Sequence, residues 1–225
     1  MRLLYGIPAY RLQGHVGNCL FSTTSTPADV LVIDNNADRS VKEEIARYPR
    51  AIVIRNAHNN YCNGAWNQIL EYGIRNQYDV IALGTDAMPH TGWYDTVNKR
   101  FSEFKKEVVS PIEARQVLTP DHTVVHHEWP CGQIFFLTLE AAKKVYPIPE
   151  CLRHWFGDNY IFDKLAYLGW RMISLRDLTM DVQSQGAVTV SASQHGEPIG
   201  PVIEADKKAW AENSATWRLK WSTEN

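Results

Sequence analysis

Polar, aromatic and ionisable side chains stand wherever one of four early apolar runs ends. Pro8 and Tyr10 follow Leu3–Gly6, Asp34 and Asn36 close Val30–Asp34, Arg55 and Asn56 close Ala51–Arg55, and Thr85 and Asp86 follow Val80–Gly84. If these runs are strands, the side chains emerge together at their carboxyl ends, the rim where open α/β sheets bind ligands. The most informative segment is Val30–Val41, V-L-V-I-D-N-N-A-D-R-S-V. Its short, β-branched apolar start is that of a strand covered on both faces. Ser40 with Glu43 has the spacing of a capping box and predicts a helix start there. An ordinary strand-to-helix turn with Asx chemistry accounts for the segment equally well. Agreement among four strand ends is harder to explain that way.

The elements that would hold these groups alternate: strand Leu3–Gly6, a helix near Leu12–Ser25, strand Val30–Asp34, a helix near Val41–Tyr48, strand Ala51–Arg55, helix Gly64–Arg75 and strand Val80–Gly84. Leu12, Val16, Cys19 and Leu20 fall at helical spacing, as do Ala65, Ile69, Leu70 and Ile74, so both helices have a face to bury. That alternation predicts an α/β fold with a mixed, mainly parallel sheet flanked by helices. Thr91 is the expected N-cap of a helix holding Trp93, Val97 and Phe101. Beyond it the pattern mixes sheet and loop. Gly132–Leu139 reads as a strand, Glu140–Val145 as a short helix, Asp158–Leu168 as a longer helix closed by Gly169, and Trp170–Leu175 as a further strand.

A final helix is expected from about Ile203 to Trp221. Trp210, Trp217 and Trp221 share one face of it, either a stripe docked on the core or an interface for a partner, a second subunit or a membrane surface. The 225 residues, 44% hydrophobic, suffice for one catalytic-sized domain over residues 1–200 with a helical extension over 201–225. No apolar stretch has the length of a membrane span and the N-terminus lacks a signal-peptide pattern, so a cytoplasmic protein is expected. The four cysteines are widely spaced without a C-x-x-C pair, which argues against a zinc ribbon or thioredoxin-like site. A net charge of −2 provides no global attraction to nucleic acid. Neither a P-loop nor a G-x-G-x-x-G turn occurs. His122–Glu128, H-T-V-V-H-H-E, lacks a second ligand pair and reads better as surface or acceptor-cleft histidines than as a zinc site.

In order and spacing, G-I-P-A-Y (Gly6–Tyr10), V-L-V-I-D-N-N-A-D (Val30–Asp38), I-R-N with N-N-Y-C-N-G-A-W-N (Ile54–Asn67), L-G-T-D-A (Leu83–Ala87) and G-D-N-Y-I-F-D-K-L-A-Y-L-G (Gly157–Gly169) resemble the GT-A glycosyltransferases of family 2. The resemblance spans Met1–Gln185. It implies a nucleotide-sugar half over about residues 1–105 and an acceptor half over 106–200. It implies transfer of a sugar, with inversion, from a nucleotide-diphosphate donor of UDP type to a hydroxyl acceptor on a glycan, lipid-linked glycan, protein or modified nucleobase.

Carried over by position, Asp34 would accept from the base, with Pro8, Tyr10 and Asn36 around base and ribose. Arg55, Asn56, Asn67 and Thr85 would line the donor cleft. Asp86 would hold Mn²⁺ or Mg²⁺ against the diphosphate, and Asp158 would be the base that deprotonates the acceptor. As plain structure, Asp86 would cap a turn and Asp158 would favour a helix N-terminus. Trp129 and Trp155 are candidate acceptor platforms. Three positions depart from the family: one carboxylate stands at residues 85–87 where many relatives have two, Tyr61 replaces a usual glycine, and Gly157 replaces the acidic residue before the base. Gln183 stands where a metal-binding histidine is frequent, with His195 a substitute. A non-catalytic nucleotide-sugar or glycan-binding module and a nucleotidyltransferase are the alternatives.

Overall fold

The computed structural model describes residues 1–11, 13–84, 87–103, 107–113, 134–182 and 199–223. In chain order its elements are β1 (Leu3–Ala9), α1 (Gln13–Thr24), β2 (Asp29–Asp34), α2 (Arg39–Ala46), β3 (Ile52–Arg55), α3 (Tyr61–Arg75), β4 (Val80–Gly84), β5 (Ala87–Pro89) and α4 (Trp93–Arg100). There follow β6 (Glu107–Glu113), β7 (Ile134–Thr138), α5 (Leu139–Val145), α6 (Gly157–Tyr167), β8 (Arg171–Val182) and α7 (Ile199–Trp221). The strands form one sheet in the order β3-β2-β1-β4-β7-β6-β8-β5. Pairing is parallel for β1 with β2 and β4, β2 with β3, and β6 with β8, whereas β7 runs antiparallel to β4 and β6, and β5 to β8. The fold is mixed α/β with a mainly parallel sheet between helices.

Alternate strand residues supply opposite core layers, because successive side chains point to opposite faces. Tyr5, Ile7, Val30, Val32, Val80 and Ala82 cluster with Val16, Leu20, Val41, Ile45, Trp93 and Val97 from α1, α2 and α4. Leu4, Leu31, Ile33, Ile81 and Leu83 meet Ala65, Ile69, Leu70, Ala142, Ile161 and Leu165 from α3, α5 and α6. Covering both faces explains why the strands read as continuous apolar runs.

Several expectations are corrected. β1 extends to Ala9, so Pro8 lies within the strand, paired in register with Ile33. Its pairing with β4 stops at Gly6, so Pro8 sits where β1 has one neighbour and a missing N–H is tolerated. The cap of α2 is Asp38, with extended backbone and a side chain accepting from the Val41 N–H at 3.0 Å, while Ser40 donates to it at 2.7 Å. Burial pushes the Asp38 carboxyl up, but those two bonds and the Arg11 guanidinium outweigh it and hold it below the usual range. Helix α4 starts after Gly92, not Thr91. β5 and β6 had no clear periodic pattern. β6 contains Pro111 at a register shift, and β5 has only three residues.

The final helix begins at Ile199, with Gly200 and Pro201 inside its first turn, where proline is permitted. Its tryptophans dock on the core. Trp221 is buried against Tyr160 and Tyr167, Trp217 meets Tyr160 edge-on at 5.5 Å, and Trp210 stacks on Phe156 at 5.3 Å. Arg218 donates to Asp163 of α6 through Nε and Nη2, at 2.9 and 2.5 Å.

Candidate functional site

The register brings Ala9, Asp34 and Arg55 level across β1, β2 and β3. The ladder runs one step further, with the Asn35 N–H donating to Ala9 O and the Asn56 N–H to Asp34 O, both at 2.8 Å. After β3 the chain returns to place β4 on the other side of β1, so strand order reverses between β1 and β4. A reversal of this kind opens a crevice outside the carboxyl ends of the strands. Tyr10 follows one of those ends. Thr85 and Asp86 follow the other in the chain, and they lie outside the described residues.

Asp34 is 1% exposed. Its Oδ1 accepts from the Ala37 N–H at 2.8 Å and its Oδ2 lies 3.5 Å from Arg55 Nε. The Asx turn and an ion pair thus coexist in one residue: one oxygen holds the turn and the other faces a largely exposed guanidinium. A base reaching Asp34 would compete with Arg55. Asn36 is exposed, in the left-handed region at φ +59°, which asparagine tolerates. Tyr10 is half-buried under the Arg11 guanidinium, 4.9 Å from its ring centre, and Arg11 reaches Asp38 at 3.4 Å.

The amides are committed differently. Asn56 Nδ2 donates to Asn35 Oδ1 at 2.8 Å and to Gln68 Oε1 at 2.9 Å, and Gln68 returns a bond to Asn56 Oδ1 at 2.9 Å. Asn35 is buried and donates to Tyr61 O at 3.1 Å, tying the β2 end to the start of α3. Asn67 brackets Ile148, donating to its carbonyl at 2.9 Å and accepting its N–H at 2.8 Å. Asn56 and Asn67 therefore shape the walls, whereas Arg55 and Asn36 face solvent at the rim.

Helix α3 also anchors the chain that leads to Asp158. Asn63, 1% exposed, donates to Leu152 O and Trp155 O, each at 3.0 Å, and its own N–H donates to Arg153 O at 3.1 Å. From the other side Asp206 of α7 accepts three consecutive N–H groups, those of Arg153, His154 and Trp155, at 2.9, 2.7 and 2.7 Å. Phe156 then turns through φ +61° and α6 begins at Gly157. Asp158 lies in its first turn, with Oδ1 accepting from the Asn159 N–H at 2.9 Å. Desolvation raises its carboxyl above the usual range, against the two backbone hydrogen bonds that lower it. A carboxylate whose basicity is raised by burial has the character of a proton acceptor.

Tyr61, where the family the sequence resembles has a glycine, has φ +58°, the backbone that glycine adopts freely. Its ring carries the Arg153 guanidinium at 4.3 Å and packs against Ile199 and Ile203. Gly157 is held small by an equally local contact. A Cβ there would lie 2.0 Å from Asn63 Oδ1. Trp155, 38% exposed, has Lys207 Nζ 5.5 Å from its ring centre and stands at the mouth of α6. Beside it, His58, Asn60, Tyr61, Glu150 and Arg153 line a cleft of about 390 Å³.

Trp129, Gln183, His195 and the segment His122–Glu128 lie outside the described residues, as do Thr85 and Asp86. Among the described residues no group of three His, Cys, Asp or Glu side chains stands together to hold a metal. No described helix is long and apolar enough to cross a membrane.

No protein-family model matches the chain, and no curated protein matches its sequence. Solved structures resemble its fold. A cytidylyltransferase from Leptospira borgpetersenii aligns over 78% of this chain and 75% of its own, at 14% identity and a TM-score of 0.50. The fold is similar to that of a cytidylyltransferase. The protein A197 from STIV aligns over 80% and 84% at 15% identity and TM-score 0.49, and a putative nucleotide-diphospho-sugar transferase from Desulfovibrio desulfuricans over 78% and 80% at 7% identity and TM-score 0.47. At such identities the likeness is one of fold.

Three residues that organise this region, Asn63, Gln68 and Asp206, had no assigned role in the sequence. Asn63 and Asn67 stand one helical turn apart on a helix whose buried residues are otherwise Ala65, Trp66, Ile69, Leu70 and Gly73, and that spacing was the available sign. Asp206, within E-A-D-K-K, has the look of an exposed helix face.

Proposed function

We propose that this protein is a nucleotide-dependent transferase that moves a sugar from a UDP-type nucleotide-diphosphate donor to a hydroxyl acceptor with inversion. The observation that supports this most is the level alignment of Ala9, Asp34 and Arg55 beside the strand-order reversal, joined through α3 to the helix that carries Asp158. In this reading Asp34 Oδ2 accepts from the base once Arg55 swings aside. Arg55 then turns its charge to the donor's phosphates. Asn36 and Tyr10 border the ribose, and Thr85 lines the same cleft.

Asp158 accepts the proton of the acceptor hydroxyl as that oxygen attacks the anomeric carbon opposite the departing diphosphate. The exposed face of Trp155, with Trp129, receives the acceptor. Asp86 is assigned to Mg²⁺ or Mn²⁺, with Gln183 or His195 as a further ligand. A metal there would supply charge neutralisation for the leaving diphosphate, and oxygen donors suit both ions.

A nucleotidyltransferase is the second reading, favoured by the cytidylyltransferase likeness. Incubation with nucleotide sugars, or with nucleoside triphosphates and sugar phosphates, in Mg²⁺ or Mn²⁺ separates the two by product. Nucleoside diphosphate released with a glycosylated acceptor supports sugar transfer. Pyrophosphate release with a new nucleotide sugar supports nucleotidyl transfer, and binding without turnover supports a binding module. The Asp86→Ala variant is expected to lose metal-dependent donor binding.

A further inference from the structure

The segment Leu152–Trp155 has its polar backbone taken from two sides by side chains that are distant in sequence. Asp206 of α7, 0% exposed, accepts the N–H groups of Arg153, His154 and Trp155. Asn63 of α3 takes the carbonyls of Leu152 and Trp155 through its side chain and that of Arg153 through its own N–H. A buried carboxylate is costly unless its oxygens are fully bonded, and three converging N–H donors meet that need. The segment ends at Phe156, whose left-handed backbone is the kind of strained turn that persists only where its surroundings over-determine it, and whose ring is stacked on Trp210 of the same α7. Asp158 follows two residues later.

We infer that Asp206 and Asn63 form a two-sided backbone clamp that positions Asp158, making the C-terminal helix part of the site. Asp206 is a positioning residue: it acts through the segment it holds. The inference rests on the assignment of Asp158 as the acceptor base for its consequence in turnover, but the clamp itself is tested without substrate. Replacing Asp206 by asparagine keeps its shape but sets an NH₂ group against a backbone donor.

Hydrogen exchange on the full chain tests it first. In the unmutated protein the amides of Arg153, His154 and Trp155 are expected to be protected as strongly as the interior of α7. Exchange at the rate of an exposed loop would overturn the clamp. In Asp206→Asn their protection is expected to drop at least tenfold while amides of β1 and β4 keep theirs, and the carboxyl of Asp158, followed by NMR titration, is expected to shift toward the ordinary aspartate range. Loss of protection with an unmoved Asp158 titration would overturn the positioning role. Asn63→Ala attacks the clamp from its other side, so Asp158 is expected to shift in that variant too, and an unchanged titration there counts against the inference. Where the unmutated protein transfers sugar, Asp206→Asn is expected to lower kcat about 100-fold with donor KM unchanged, the size of effect that misplacing a reacting group by about 1 Å produces. An equal rise in KM alone would refute positioning. An unmutated protein inactive on every donor would sink the sugar-transfer reading and leave the exchange and titration results standing.

Discussion

Substituting Gly157 by alanine isolates one atom at the entry to α6. The new Cβ would stand 2.0 Å from Asn63 Oδ1, 2.6 Å from its Cγ and 3.0 Å from its Nδ2. Ordinary contact begins near 3.4 Å, so the amide must retreat by roughly 1.4 Å or α6 must shift by as much. Asn63 is buried and its Nδ2 donates to two carbonyls at 3.0 Å, so retreat breaks both bonds. Overpacking costs about 1–3 kcal/mol and each buried group left without a partner about 1–3 kcal/mol. Relaxation trades part of the steric cost for part of two lost hydrogen bonds, which places the loss at about 2–4 kcal/mol.

Urea unfolding is the assay, with the midpoint lowered and the slope unchanged. In an Asn63→Ala background the clash is gone, and the same Gly157→Ala change is expected to be neutral or to stabilise by up to about 1 kcal/mol through helix propensity. Steric conflict with Asn63 therefore predicts strong non-additivity, of about 2 kcal/mol or more. A loss under about 0.5 kcal/mol in the single variant, or additive effects in the double variant, would refute the reasoning.

Asp158→Asn is expected to lower transfer by about 10²–10⁴-fold with donor affinity kept, as for a lost general base, and retained transfer removes the assignment. Because burial raises the Asp158 pKa in the folded state, that state binds the proton more tightly than the unfolded one. Stability then falls as pH rises from the ordinary aspartate range through the folded pKa. Asp158→Asn should accordingly raise Tm at neutral pH and make no difference below the ordinary aspartate range; the opposite pattern in thermal scans contradicts the burial argument. Asp34→Ala removes the acceptor for the buried Ala37 N–H and the partner of Arg55, with a stability loss of about 1–3 kcal/mol. Calorimetric titration with UDP should show at least about tenfold weaker binding, the worth of a hydrogen bond to a charged group, and unchanged affinity rules out base recognition by Asp34. Trp221→Ala should cost about 3–5 kcal/mol, since the ring is buried against Tyr160 and Tyr167; a loss under about 1 kcal/mol in chemical unfolding would show that the stripe does not anchor α7.

The sequence by itself determined the α/β alternation and the rim. Strands covered on both faces must be apolar throughout, so Val30–Asp34 and Val80–Gly84 announce themselves as strands, and Asp34 and Arg55 end theirs level with one another. It also marked Gly169 as the stop of α6, where φ is +77°. The weaker stretches were those whose order depends on pairing rather than local pattern: β5, β6 and the full length of β8 are strands because of their neighbours.

Only the tertiary structure decided how the amides divide. Asn36, Asn56 and Asn67 are alike in sequence, yet Asn36 faces solvent while Asn56 and Asn67 are engaged by Asn35, Gln68 and Ile148. Partner choice depends on what stands 12 to 81 residues away, and local spacing carries no record of it. The same holds for Asp206. A carboxylate in a charged helical stretch reads as solvated surface, and burial at the junction of three backbone donors is a property of the assembled fold alone. Gly157 and Tyr61 show the converse. Each departs from the usual residue of the family the sequence resembles, and the local setting of each became visible only when Asn63 and Arg153 were placed beside it.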